Sequence, residues 1–162
     1  MTEKNWIKRR FDYVEFDTKN IESILLFSLI WNIFEKGCCG NFAKINIHCK
    51  LIARNANLLE VEVVNMVWKY FLHRYIVNGR LSEFFISFEF NPNDNKAKVE
   101  NILLKGNNAS HAERVEALLR ICFRLKNNLT HGIKDVGRLY AQNENFRQAN
   151  ILLMHVVERS GV

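Results

Sequence analysis

Residues 110–132 read SHAERVEALLRICFRLKNNLTHG, and this stretch decides the fold. Ser110 followed by Glu113 is a capping box, a pattern with which many helices begin. Apolar residues then return at the spacing of a helix that buries one side; they are Val115, Leu118, Leu119, Cys122, Phe123 and Leu125. Gly132 suits the C′ position, where many helices end. The pattern therefore predicts a helix from Ser110 to about His131.

Another long helix is predicted nearer the N-terminus. Asp17 or Thr18 can cap it, and it would run to about Lys36 with Gly37 as its stop. Residues 1–16, which are polar, would form an arm or a short element before it. Apolar residues cover more than one face of this helix, which favours a central position or a contact with a second subunit. They are Ile21, Ile24, Leu25, Phe27, Leu29, Ile30, Ile33 and Phe34.

The remaining helices are predicted from the same kinds of signal. Asn57 can cap a helix that continues through Val77 and stops at Asn78-Gly79. Residues 38–56 would connect it to the first long helix. A last helix is predicted over residues 144–159, where apolar residues again recur at helical spacing.

Residues 81–104 carry a mixed pattern. Four apolar residues alternate with their neighbours as in a strand; they are Phe84, Ile86, Phe88 and Phe90. Residues 91–95 are turn-forming, so a small β-hairpin is one alternative, and a short helix over residues 93–105 is an equal one. The whole chain, residues 1–162, is therefore predicted to be one all-α domain of four or five long helices, with room for a small hairpin.

The composition agrees with one helical domain. The chain has 162 residues, of which 48% are hydrophobic, and this is enough to bury a sizeable core. One proline and seven glycines are few breakers, which favours long helices over many short strands. The formal net charge of +6 suits an acidic partner such as nucleic acid.

The cysteines and the N-terminal residues indicate the compartment. No secretory signal is visible, and polar residues interrupt the first apolar run, so no membrane span is predicted. Reduced thiols in the cytoplasm are therefore expected. His48-Cys49 and Cys38-Cys39 fit none of the usual zinc spacings, and neither a metal nor another cofactor is predicted.

The end of the helix that begins at Ser110 holds the candidate site. Arg124 and His131 are seven residues apart, which on a helix places them within about 20° of each other, two turns along. Asn128 lies between them on the same strip. An imidazole can transfer protons near neutral pH, and a guanidinium can stabilise charge on phosphoryl oxygens. The strip therefore suits metal-independent cleavage of RNA, in which the ribose 2′-hydroxyl attacks its own phosphodiester.

Residues 126–132, Lys-Asn-Asn-Leu-Thr-His-Gly, resemble the Arg-Asn-Asn-Leu-x-His-Gly signature of HEPN-domain proteins. The resemblance implies a four- or five-helix bundle and a homodimer that brings two such motifs together. It also implies a metal-independent prokaryotic endoribonuclease from a toxin–antitoxin, phage-defence or RNA-processing system, with RNA as substrate and an antitoxin or other protein as a further partner. In this setting His131 would transfer protons, and Asn127 and Asn128 would orient the groups.

The chain departs from the family pattern at the basic position. Lys126 stands where the signature has Arg, and Arg124 precedes His131 at the longest spacing that the family's motif allows. Lys126 lies about 140° around a regular helix from His131. Three alternatives follow: Arg124 replaces the usual Arg, the helix distorts near its end, or Lys126 serves without the bidentate phosphate contact. The second function to consider is a non-catalytic HEPN-like module that binds RNA or protein, and a third is a plain dimeric scaffold.

Overall fold

The computed structural model describes residues 1–11, 17–131 and 136–161. Most of these residues lie in helices, with one two-stranded hairpin, so the predicted all-α fold with a small hairpin is confirmed. The helices are α1 (Glu3–Phe11), α2 (Glu22–Cys39), α3 (Ile45–Arg54), α4 (Val61–Tyr75), α5 (Glu83–Ile86), α6 (Lys96–Lys105), α7 (His111–His131) and α8 (Val136–Arg159). The strands are β1 (Ile76–Val77) and β2 (Arg80–Leu81).

The most extensive packing between two helices in the described residues is that of α2 against α8. At one end of α2, Cys38 Sγ lies 3.5 Å from the hydroxyl oxygen of Ser160, just past the end of α8. At the other end, the backbone N–H of Asp17 donates to the Tyr140 hydroxyl at 3.2 Å. The two helices therefore pack in the same direction. α4 packs on α8 in the opposite direction, because the residue before α4 contacts the last turns of α8.

α7 occupies the centre of the bundle. Every residue from 115 to 125 is buried, and α3, α4, α6 and α8 all pack against this helix. Its predicted start is confirmed: the Ser110 backbone N–H donates to Glu113 Oε2 at 2.8 Å, and the Glu113 N–H donates to the Ser110 hydroxyl at 3.3 Å. Hydrogen bonds from Lys105 and from the Ser110 backbone lower the pKa of Glu113 to about 2. The capping carboxylate therefore stays charged down to strongly acidic pH.

The predicted end of the first long helix at Gly37 is wrong. α2 continues through Gly37 to Cys39, and Gly40 takes the left-handed backbone (φ 61°) that ends the helix. A glycine inside a helix costs only about 1 kcal/mol, and the burial of Cys39 in the core favours continuation. The connection predicted over residues 38–56 also contains a helix of its own, α3.

The hairpin lies earlier in the chain than the alternation of residues 84–90 suggests. Asn78 and Gly79 both have positive φ, 51° and 73°, as the tight hairpin turn between β1 and β2 requires. α4 therefore ends at Tyr75 instead of Val77, and it begins at Val61 instead of Asn57. Phe84 and Ile86 lie in α5, so the alternative that placed a strand there is wrong.

Two other boundaries differ from those predicted. Of the two alternatives for residues 93–105, the short helix is correct, and it begins at Lys96 after a single 3₁₀ turn over Pro92–Asp94. The last helix begins at Val136, two turns before residue 144, and ends at Arg159 as predicted. No helix in the described part of the chain is long and apolar enough to cross a membrane.

α2 buries only one of its apolar faces. Ile24, Phe27, Trp31 and Phe34 are buried against the rest of the bundle. Another set of apolar side chains on this helix is 45–62% exposed, namely Leu25, Leu26, Leu29 and Ile33. We call this set the α2 face. The helix therefore lies at the edge of the bundle. The predicted alternative in which this helix is central in the core is wrong for a single chain.

Candidate functional site

Four polar side chains lie at four-residue intervals along one side of α7, and we call them the polar row. They are Glu116, Arg120, Arg124 and Asn128. Residues four apart on a helix are neighbours on its surface, so each side chain can reach the next. Arg120 is fully buried and Arg124 is 5% exposed. Charged side chains are rarely buried to this degree without partners, so the contacts of both arginines decide what they do.

Arg120 uses every nitrogen of its guanidinium. Nε and Nη2 donate to Glu116 Oε1 at 3.1 and 2.9 Å. Nη1 donates to the Asn46 carboxamide oxygen at 3.0 Å and to the backbone oxygen of Asp94 at 3.1 Å. The other carboxylate oxygen of Glu116 lies 2.8 Å from Lys98 Nζ. Arg120 therefore joins α7 to α3 and to the turn before α6.

Arg124, one turn further along, is bonded less completely. Its Nη1 donates to Asp94 Oδ2 at 2.8 Å, and its Nη2 donates to the Asn128 carboxamide oxygen at 2.6 Å. Its Nε is buried and finds no hydrogen-bond partner in the described part of the chain. Asp94 Oδ2 also accepts the backbone N–H of Asn91 at 3.0 Å. Arg124 therefore already has an anionic partner inside the protein, and a phosphate would compete with Asp94 for it.

The charges around the polar row do not cancel. Among the residues that the structure describes, three cationic side chains and two carboxylates meet within the hydrogen-bonded cluster. The cations are Lys98, Arg120 and Arg124, and the carboxylates are those of Asp94 and Glu116. A surplus of positive charge in a partly buried cluster favours an anion nearby.

The other predicted site residues lie at the C-terminal end of α7. Lys126 and Asn127 are half-buried, and both make interactions within the protein. Lys126 starts about 200° around the helix from Arg124, so the two cations leave different sides of α7. His131 is the last residue of α7. Its side chain and Gly132 lie outside the part of the chain that the structure describes. The helix shows no break before His131, so the alternative of a distorted end has no support in its backbone.

Four residues of this cluster are not among the predicted site residues: Asn46, Asp94, Glu116 and Arg120. The four-residue spacing of Glu116, Arg120 and Arg124 is visible in the sequence and could have indicated the polar row. Asp94 and Asn46 gave no such signal, because folding brings them to α7 from distant positions along the chain.

Thiols and metal ligands do not form a second site in the described residues. Across residues 1–11, 17–131 and 136–161, no three His, Cys, Asp or Glu side chains are grouped so that they could hold a metal ion. Cys49 and Cys122 are fully buried, and burial raises the pKa of both thiols. Burial likewise raises the pKa of Cys39 to about 12. These three thiols are therefore core residues with little thiolate character.

No protein-family model, curated protein or solved structure matches the chain. The resemblance to HEPN proteins therefore stays a prediction that rests on residues 126–132.

Proposed function

We propose that this protein is a metal-independent endoribonuclease of HEPN type, which cuts RNA through the ribose 2′-hydroxyl. The observation that carries the proposal is the 2.6 Å hydrogen bond from Arg124 to Asn128. It joins a guanidinium and a carboxamide on the side of α7 from which His131 also starts, one turn further on. The positive surplus of the surrounding cluster supports the same function, because the substrate is a polyanion.

The reaction needs proton transfer and charge stabilisation. The 2′-oxygen attacks the phosphorus, the bond from phosphorus to the 5′-oxygen breaks, and a 2′,3′-cyclic phosphate and a 5′-hydroxyl result. His131 would transfer the proton that leaves the 2′-hydroxyl or the one that the 5′-oxygen gains. A cation would stabilise charge on the phosphoryl oxygens. Asn127 and Asn128 would orient the phosphate or the imidazole.

Two residues are candidates for the cation that contacts the phosphate, and each gives a different assignment of roles. In the first, Arg124 exchanges its ion pair with Asp94 for the phosphate, and its planar fork can then bind two oxygens. In the second, Arg124 stays on Asp94 and fixes Asn128, and Lys126 contacts the phosphate. The second assignment requires no buried ion pair to break, and it fits the Lys that replaces Arg in the resembling motif.

We further propose that the protein acts as a homodimer through the α2 face. This face is apolar and carries no charge among its four residues, so a second copy of the same surface is a suitable partner. The family resemblance implies a dimer that brings two motifs together. A cytoplasmic setting in toxin–antitoxin, phage-defence or RNA-processing biology, with an antitoxin or other protein partner, belongs to the same proposal.

A second candidate function is a non-catalytic HEPN-like module that binds RNA or a protein. The observation that favours it is the burial of Arg124 on Asp94. If the ion pair never opens and Lys126 contacts phosphate only weakly, the site retains attraction for RNA but loses its catalytic arginine. Binding that weakens with salt, without cleavage, would then be observed.

The first experiment compares the wild type with His131→Ala on a labelled single-stranded RNA in excess EDTA. His73→Ala is a matched control, because His73 is exposed on α4. We expect wild type and control to cut the RNA and leave 2′,3′-cyclic phosphate ends, and His131→Ala to leave it intact. Intact RNA in all three samples, with folding verified by circular dichroism, would reject the nuclease in favour of the binding module.

A separate measurement tests the dimer. Sedimentation of the wild type should give the mass of two chains, and Leu29→Asp should give that of one. Leu104→Asp places the same charge at another exposed leucine, on α6, and should leave the dimer intact. A monomeric wild type would refute this part of the proposal without affecting the cleavage assay.

A further inference from the structure

The outward face of α3 combines apolar and basic side chains. Ile47 and Leu51 are 55% and 49% exposed, and Lys50 and Arg54 are exposed beside them. Because these positions recur at three- and four-residue intervals, they form one continuous surface, which we call the α3 face. Hydrophobic residues exposed together in this way are typical of an interaction surface.

The positive charge of the α3 face is not balanced nearby in sequence or by an ion pair. No Asp or Glu occurs between Glu35 and Glu60. Lys44, Lys50 and Arg54 form no salt bridge within the described part of the chain. In contrast, the cations near the polar row are bonded to carboxylates. The cations of the α3 face are therefore available to an acidic partner.

A groove opens beside the α3 face, at the C-terminal ends of α2 and α8. Its volume is about 280 Å³, and its lining is mostly apolar. Leu51 belongs both to the α3 face and to this groove, and Leu58 and Val156 line it further along. Pockets for whole small-molecule ligands usually begin at about 300 Å³, so this groove suits one or two anchoring side chains better than a cofactor.

We propose that the α3 face and its groove bind an acidic amphipathic segment of a partner protein. Apolar side chains of the segment would enter the groove beside Leu51, and its carboxylates would face Lys50 and Arg54. This is the arrangement of a helix in a groove, with charge complementarity fixing orientation and partner choice. The proposal is independent of the nuclease function.

Two other occupants fit the observations less well. Single-stranded RNA is usually held on aromatic side chains that stack with bases, whereas the α3 face presents the aliphatic Ile47 and Leu51. A membrane surface would contact projecting residues and leave a recessed groove unfilled. A protein segment accounts for both the basic surface and the apolar groove.

The test is a selection of random peptides about 16 residues long, displayed on phage, against the purified protein; this length allows four helical turns. Bound peptides are counter-selected against Lys50→Glu/Arg54→Glu. Affinities of the enriched peptides are then measured by fluorescence anisotropy. Two matched controls are Lys69→Glu on α4 and Leu104→Ser on α6, because both of those residues are exposed outside the α3 face. Circular dichroism establishes that each variant is folded.

We expect enriched peptides with net negative charge and apolar residues at helical spacing. Their dissociation constants should rise by about tenfold or more in Lys50→Glu/Arg54→Glu, as loss of complementary charge predicts, and also in Leu51→Ser. The control variants should bind like the wild type. Failure to enrich acidic peptides, or binding that ignores the α3 variants, would overturn the proposal. The proposal would also be overturned if these variants kept peptide binding but lost another property of the wild type. That property could be oligomer formation, binding of single-stranded RNA or binding of phosphatidylserine vesicles.

Discussion

Arg120 and Arg124 lie one turn apart on α7 and both contact Asp94, but they are held differently. Arg120 reaches the backbone oxygen of Asp94 and shares its charge with Glu116, and all three of its nitrogens have partners. Arg124 contacts the Asp94 carboxylate and the Asn128 carboxamide, and its Nε has no hydrogen-bond partner among the described residues. Two arginines on the same helix thus differ in hydrogen bonding: every guanidinium nitrogen of Arg120 has a partner among the described residues, and one nitrogen of Arg124 has none.

The difference separates a structural arginine from a candidate functional one. Buried polar groups with every hydrogen bond satisfied stabilise a particular packing, and a partly satisfied group in a native structure calls for an explanation. Arg124 has such an explanation, because it contacts Asn128 within the motif that resembles the HEPN signature. Variants of both arginines should therefore lower stability, but only variants of Arg124 should change RNA cleavage.

Arg120→Met should give the largest loss of stability. The change removes one of two cationic partners of Glu116, since Lys98 stays, and it leaves the Asn46 carboxamide and the Asp94 carbonyl without the donor that Arg120 supplies. Breaking a buried pair in this way costs about 3 kcal/mol in the free energy of unfolding, measured by urea denaturation. The cleavage rate per folded molecule should not change.

The control for this prediction is Arg147→Met. Arg147 is exposed and forms a surface ion pair with Glu144, so its loss should change stability by about 0.5 kcal/mol or less. If Arg120→Met unfolded at the same urea concentration as this control, Arg120 would not be a structural clamp.

The effects of Arg124→Met and Asp94→Asn on the free energy of unfolding should be coupled. The single change at Arg124 leaves the Asp94 carboxylate buried with the Asn91 N–H as its other donor, and the single change at Asp94 leaves a buried guanidinium. The double variant leaves neither of these buried charges unpaired. Its loss of stability should therefore be about 1–2 kcal/mol smaller than the sum of the losses in the two single variants. Urea denaturation of all four proteins measures this coupling, and additive losses would mean that the ion pair contributes little.

Asn128→Ala should affect function more than stability. It removes one hydrogen bond from Arg124, which typically lowers the free energy of unfolding by about 1 kcal/mol. If Asn128 positions the reacting groups, the cleavage rate should fall by about tenfold or more, whereas Arg120→Met should cut at the wild-type rate. Single-turnover assays at saturating RNA compare them. Equal rates for Asn128→Ala and wild type would remove Asn128 from the site.

Local signals explain which parts of the fold could be predicted. The start of α7 follows from Ser110 and Glu113, which are close in sequence and bond directly to each other. The end of α2 could not be read from Gly37, because the packing of Cys39 decides how far the helix continues. Asn78-Gly79 correctly predicts a turn after α4. The helix nevertheless ends earlier, at Tyr75, because the two short strands that flank the turn take up residues 76–77 and 80–81.

The candidate site was predictable only in part, for the same reason. Arg124 and Asn128 are four residues apart, so helix geometry alone brings them together. The pairing of Arg124 with Asp94 depends on the turn before α6, in the stretch whose secondary structure the sequence left undecided. That pairing buries Arg124 on a carboxylate, which helix geometry alone could not predict.

The smallest expected effect is a pH dependence at Glu116. Burial alone would raise the pKa of this carboxyl, but hydrogen bonds from Lys98 and Arg120 outweigh it and lower the pKa below its usual value of 4.5. The stability that Glu116 contributes is therefore fully present above that value and is lost as the pH falls through the lowered pKa. Urea denaturation of the wild type and Glu116→Gln should show a difference that is constant near neutral pH and shrinks in acid, where protonated Glu116 resembles Gln. A difference that stays constant into acid would mean that the carboxylate charge is not what holds Arg120.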